Sequence, residues 1–289
     1  MRDAEKTEKI SAFVDDVIEN KDVVLLDILW MYTYTVNIQS SSGYNNNIDK
    51  FRQLFGRTCV RNLQKKYNLE RAKIKEKMTE FLDFLYTMPK FLYKENFDND
   101  RKLLTNILTD KASEIFLKNV RNSIKDLSDL DKKILSFVLN YIPIRIQEPI
   151  KRGDIAYFEI KSMKEWTDIF NLLFNEELKV YDERLDEPGF KPIWTSRGFR
   201  IYSRPGPHES FCQLGDELVK IGVGYWTFYI SSKGYVDIEF LIPYPIYEAV
   251  EDYRDELLTI KNFEEKINEV EKEIVRRERR EEWGLEDLE

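Results

Sequence analysis

Histidine and cysteine are almost missing from this chain of 289 residues: His208 stands alone, and Cys59 and Cys212 are the only cysteines. Two cysteines so far apart make neither a disulfide framework nor a zinc knuckle. With one histidine there is little material for a His-based zinc site, a Ser-His-Asp triad or a Cys-His dyad. His208 and Cys212 are four apart. They would serve a metal only if carboxylates completed the set, and a loop histidine beside a buried cysteine is the favoured reading. Glycine is sparse, with 11 residues, and no glycine-rich phosphate loop occurs. "GVGYW" (222–226) lacks both the lysine of a P-loop and the third glycine of a dinucleotide fingerprint. Long apolar runs are missing too. "VVLLDILWMY" (23–32) and "IEFLIPYPIY" (238–247) are interrupted by charge or proline and fall short of the roughly 18–20 residues of a membrane span. The first residues, "MRDAEKTEKISAF", are charged and lack an apolar signal core, so no membrane association and a cytoplasmic location are expected.

What is present is charge and aromatic bulk. Charged residues make up 34% of the chain and aromatics 13%, and apolar residues at 42% suffice for a real core. Heavy use of Lys, Glu, Ile and Tyr with a single His suits a protein from a hot environment. The charge is uneven. Residues 1–150 hold 25 Lys and Arg against 22 Asp and Glu, whereas residues 151–289 hold 20 against 31, within an overall net charge of −8. That balance argues against a general nucleic-acid coat but leaves room for a local basic groove.

The periodicity predicts an α+β fold: a helical domain over 1–140, an α+β domain with hairpins over 141–245, and a long C-terminal helix with a charged tail over 246–289. Apolar spacings of three and four recur from "ISAFVDDVIE" to "DLDKKILSFVLNYI", the last with Ser128 and Asp129 as natural N-caps. Near Pro143 the pattern changes. "IPIRIQEPI" and "IAYFEIKS" read as strands around a Lys151–Asp154 turn, and "SMKEWTDIFNLLFNEEL" (162–178) as an amphipathic helix. Further strand-like runs carry hairpin turns at Thr195–Gly198 and Ser231–Gly234. From 246 to 282, Val250, Tyr253, Leu257, Ile260, Phe263, Ile267, Val270 and Ile274 form a coiled-coil-like seam. A seam of this kind serves a self-dimer, a protein partner, or packing on its own domain.

Two stretches are candidates for binding DNA or RNA. Between Lys50 and Lys77 ten cations face two glutamates, among them Arg52, Arg57, Arg61, Lys65, Lys66, Arg71 and Lys73. Arg57, Arg61 and Lys65 are four apart, so a helix aligns them in a row suited to repeating phosphates. A solvated face paired with acids elsewhere is the equal alternative. In the C-terminal half, "WTSRGFRIYSR" interleaves Arg197, Arg200 and Arg204 with Trp194, Phe199 and Tyr202, a combination that grips single strands by charge and stacking.

"GDIAYFEIKS" (153–162) resembles the motif strand of the PD-(D/E)xK restriction-endonuclease-like superfamily. The resemblance implies that Glu159 binds Mg²⁺ and Lys161 orients the attacking water. It also requires an acid on the preceding strand. If Gly153-Asp154 is the hairpin loop, Glu148 faces Glu159; if Arg152-Gly153 is the loop, Ile146 does. The plainer reading sets Glu159 and Lys161 on the polar face of a half-buried strand, with no catalytic residue and no cofactor.

"SDLDKKILSFVLNYIPI" looks like the first helix of a winged-helix regulator, with "SMKEWTDIFNLLFNEEL" as recognition helix and "KPIWTSRGFRIYSR" as wing. That recognition helix would be acidic and repelled by phosphate. A helical half with a basic face, a half with arginine-bearing aromatic hairpins and a terminal coil together resemble the accessory proteins of archaeal defence or mobile-element systems, including those that accompany short Argonautes. The resemblance implies a non-catalytic, nucleic-acid-binding subunit that assembles with a partner protein.

Overall fold

Six helical segments form α1 (Asp3–Glu19), α2 (Val23–Gln39), α3 (Ile48–Tyr67), α4 (Arg71–Tyr86), α5 (Phe97–Ile124) and α6 (Asp129–Arg145). The computed structural model describes residues 3–39, 48–88, 97–152, 155–160, 162–181, 193–194, 200–203, 211–230 and 235–282. The fold is α+β and mostly helical. Among the described residues no helix is long and apolar enough to cross a membrane. Three of the left-handed backbone positions of this glycine-poor chain fall on asparagine. Asn68 after α3 has φ 50°, and Asn175 and Asn262 both have φ 53°. Asparagine accepts this left-handed conformation more readily than most residues.

The Ser128 cap is present. Its hydroxyl accepts from the Asp131 N–H at 3.2 Å, and the Asp131 carboxylate accepts from the Ser128 N–H at 3.0 Å. The strand expected at 142–150 is not there. α6 runs through Pro143 to Arg145, and β1 covers only Ile150–Arg152. Leu135, Val138, Leu139 and Ile142 are all buried, so the apolar stripe of α6 outweighs the hydrogen bond that proline removes so close to the helix end.

β1 pairs with β2 (Ile155–Ile160) in the register Ile150↔Tyr157 and Arg152↔Ile155. α7 (Met163–Phe174) follows, then β3 (Val180–Tyr181), β4 (Ile193–Trp194), β5 (Arg200–Ser203) and β6 (Phe211–Cys212). α8 (Gln213–Ile221), β7 (Tyr225–Ile230), β8 (Tyr235–Pro243), α9 (Tyr244–Glu251) and α10 (Phe263–Glu282) complete the order. β8 is the central strand, with β2 antiparallel on one side and β7 antiparallel on the other. The β4–β5 hairpin joins the same ladder by a short parallel pairing of Tyr202–Ser203 with Tyr235–Val236. One sheet face carries Tyr157, Tyr225 and Leu241 toward α2 and α3; the other carries Phe158, Trp226 and Phe240 toward α8 and α9.

The continuous helix expected from 246 to 282 is broken. α9 ends at Glu251, a 3-10 turn occupies Arg254–Glu256, and α10 starts at Phe263. The chain turns back over α6: Leu258 N–H donates to Ser136 Oγ at 2.9 Å, and Arg254 Nη2 reaches Leu139 O at 3.4 Å. The seam is used up inside the chain. Val250, Leu257, Phe263 and Ile267 are buried, and Tyr253, Ile260, Val270 and Ile274 pack against the same core. Two separate helices dipping onto one core reproduce the spacing of a coil. One cluster of buried apolar residues, from Ile10 to Ile267, draws on all three expected domains.

Gly224 lies under this core. A Cβ there would stand 2.3 Å from Phe240 Cε1 and 2.8 Å from the Leu241 carbonyl oxygen. Gly224→Ala is expected to destabilise the fold by about 1–3 kcal/mol, as overpacking does. The check is a urea midpoint that falls with the slope unchanged.

Candidate nucleic-acid interface

The basic residues of α3 do not share one fate. Arg57 is exposed. Arg61, one turn on, is buried: its guanidinium lies 3.6 Å over the centre of the Phe211 ring, and Nη2 is 3.5 Å from Asp216 Oδ1. Lys65 Nζ approaches Asp216 Oδ2 at 3.0 Å, an ion pair at the edge of solvent. Trp226 Nε1 donates to Asp216 Oδ1 at 2.9 Å. Lys66 turns to the other side. Its ammonium sits 2.7 Å from Asp27 Oδ2, with the rings of Tyr67, Phe116 and Tyr225 centred 5.3–5.6 Å away. Tyr67 Oη donates to Asp27 Oδ2 at 2.6 Å. Burial first, then the Asp27 charge, pushes the Tyr67 and Tyr225 hydroxyls above the ordinary tyrosine range.

Between these cations, the Asn62 amide takes both main-chain groups of Trp226: Nδ2 donates to its carbonyl at 2.8 Å, and its N–H donates to Oδ1 at 2.9 Å. Arg61, Asn62, Lys65 and Lys66 therefore serve the interior. Of the row Arg57–Arg61–Lys65 expected to face phosphates, Arg61 and Lys65 turn to Asp216 on α8, while Arg57 is exposed. The side chain of Arg52 falls outside the described residues.

α4 differs. Ile74, Met78, Phe81 and Leu85 make its buried stripe, while Arg71, Lys73 and Lys75 are exposed. Among the described residues these three make no ion pair, whereas Lys77 bridges Asp22 at 2.6 Å and Glu80 at 2.9 Å. The first turn of α4 holds no acid. Of the expected hairpin arginines, Arg197 and Arg204 lie outside the described residues. Arg200 is described only by its backbone, paired with Trp194.

The residues of the nuclease motif are only partly placed. The β1–β2 register closes on Gly153-Asp154, the loop that would set Glu148 opposite Glu159. The ladder nevertheless stops at Ile150, next to Pro149, and Glu148 lies exposed beyond it. Glu159 is half-buried against Leu241 on β8, and Lys161 falls outside the described residues. No three His, Cys, Asp or Glu side chains among the described residues group as a metal site. The helix expected to read DNA in the winged-helix alternative, α7, is packed against α10 and α8, and its Met163, Trp166, Ile169 and Phe170 are core residues.

No protein-family model, no curated protein and no solved structure matches this chain.

Asp27 and Asp216 were missed as partners of α3. Asp27 did leave a signal: it is the only charge in "VVLLDILWMY", where an acid in an apolar run needs a buried counter-charge. Asp216 is likewise flanked by Leu214, Leu218 and Val219, but the helix α8 that gives those spacings meaning had not been expected.

Asp27→Asn leaves the Lys66 ammonium buried without a counter-charge and is expected to cost about 3–5 kcal/mol. Lys65→Gln, at the solvent edge, should cost under about 1 kcal/mol. Equal losses in urea titrations of the two variants would refute this ordering. Burial pushes the Cys212 thiol up to about 12, and the Cys59 thiol is raised by burial and then by the Asp27 charge. Both therefore stay protonated at pH 8. Ellman's reagent at that pH should label neither in the native protein and both after unfolding in guanidinium.

Proposed function

We propose that this chain is a nucleic-acid-binding accessory subunit, without catalysis of its own, that works together with a partner protein. The supporting observation is the opening of α4. Arg71 and Lys75 share one flank there and Lys73 stands on the other, all exposed and without an ion pair among the described residues. Cations in a first turn oppose the helix dipole, so they bring no stability to α4. They do add to the unpaired N–H groups of the turn as a field for phosphate. The cations next to them on α3 are already neutralised by buried acids, which narrows the contact to the α4 turn. A defence or mobile-element complex of the archaeal kind, such as one built on a short Argonaute, is the setting this reading suits.

The test is a salt titration of binding to fluorescent single- and double-stranded DNA and to RNA. The triple reversal Arg71→Glu, Lys73→Glu, Lys75→Glu should lower the affinity for all of them. It should also flatten the dependence of log K on log salt, by about 0.9 per lost duplex phosphate contact. An unchanged slope with unchanged affinity sinks the proposal.

A further inference from the structure

One feature of the described residues that the proposed function leaves unused lies on the acidic half of the chain, between α7 and α10. Two adjoining clefts of about 550 and 440 Å³ flank the same four residues, Lys164, Asp168, Ile274 and Glu278. Together their walls run from Ser162 to Glu177, past both ends of the 12-residue α7, which is about 18 Å long. Apolar side chains form part of the floor: Leu172 and Ile274 are half-buried, and Val275 is 43% exposed. The two cations of the walls are already engaged, Lys164 with Asp168 at 2.8 Å and Arg277 with Glu273 at 3.2 Å. Glu165, Glu177 and Glu278 stand exposed on the rim and make no ion pair among the described residues.

An elongated trough with apolar patches in its floor, whose lining sets six carboxylates against Lys164 and Arg277, has a definite complement. We infer that the α7–α10 trough docks a Lys- or Arg-rich amphipathic segment of a partner protein, of about three helical turns. Apolar side chains of the segment cover Leu172, Ile274 and Val275, and its cations meet Glu165, Glu177 and Glu278. Nucleic acid is repelled from this rim, so the trough and the α4 turn take different ligands. The inference rests on the reading of the chain as a subunit that assembles with a partner protein, and not on the phosphate-binding turn.

The experiment uses the full chain and two labelled synthetic peptides, each with leucine at helical spacing. The remaining positions are lysine in one and glutamate in the other. The lysine peptide should bind in a salt-sensitive way and the glutamate peptide should not. The variant Glu165→Lys, Glu177→Lys, Glu278→Lys, whose positions are exposed, should weaken the lysine peptide at least tenfold and gain the glutamate peptide. Val275→Ser should weaken the lysine peptide without any gain of the other. Equal binding of both peptides overturns the inference, as does a triple variant that binds like the parent. A dimer, seen by sedimentation, that the triple variant dissociates would assign the trough to a second copy instead and likewise overturn it. Nucleic-acid binding measured on the same variants separates this failure from failure of the α4 turn.

Discussion

Two carboxylates buried on opposite sides of α3 constrain this molecule. Asp27 belongs to α2 and Asp216 to α8, and each is buried against cations that α3 supplies. Lys66 answers one and Arg61 with Lys65 the other. Buried pairs of this kind add little net stability over an apolar substitute, since desolvation offsets the attraction. What they do is fix an arrangement. α3 can turn or slide only by stranding a charge, so its register against α2, α8 and β7 is set within a residue. The Asn62 amide reinforces this by occupying the outer main-chain groups of Trp226, where β7 has no strand partner among the described residues.

This arrangement also explains why the richest cationic stretch in the sequence misleads. Periodicity tells that Arg57, Arg61 and Lys65 share a side of a helix, and they do. It cannot tell whether that side meets water or a carboxylate, because Asp216 lies 155 residues away along the chain. The six N-terminal helices, the Ser128 cap and α7 were legible because each is written in neighbouring residues. The short α8, the passage of α6 through Pro143 and the break between α9 and α10 were not, because each is decided by packing against distant elements. The apolar spacing of the last 40-odd residues was legible, and of the destinations it left open the described residues show packing on the chain's own core. A seam shows that apolar side chains need cover, and here α6 and the rest of the core provide it.

Seen from outside, exposed charge of opposite sign stands at two separate places. The α4 turn presents cations with no internal use, and the α7–α10 trough presents acids with none. Between them lies a core in which nearly every charge is matched, including the Lys6–Asp100 pair that joins α1 to α5 at 2.7 Å. On the proposed reading, the two patches would keep a polyanion and a basic partner segment apart.

The distance between α3 and its acid partner also bears on synthesis. α3 leaves the ribosome long before Asp216 is made, and Asn62 waits still longer for Trp226, 164 residues downstream. Until then Lys66 can find Asp27, but Arg61 and Lys65 lack Asp216 and the apolar side of α3 facing β7 is uncovered. The helical half therefore emerges as an unfinished layer whose closure depends on the last third of the chain. A nascent chain paused or truncated before α8 would carry an open, cation-studded apolar face, the kind of surface on which molecular chaperones act.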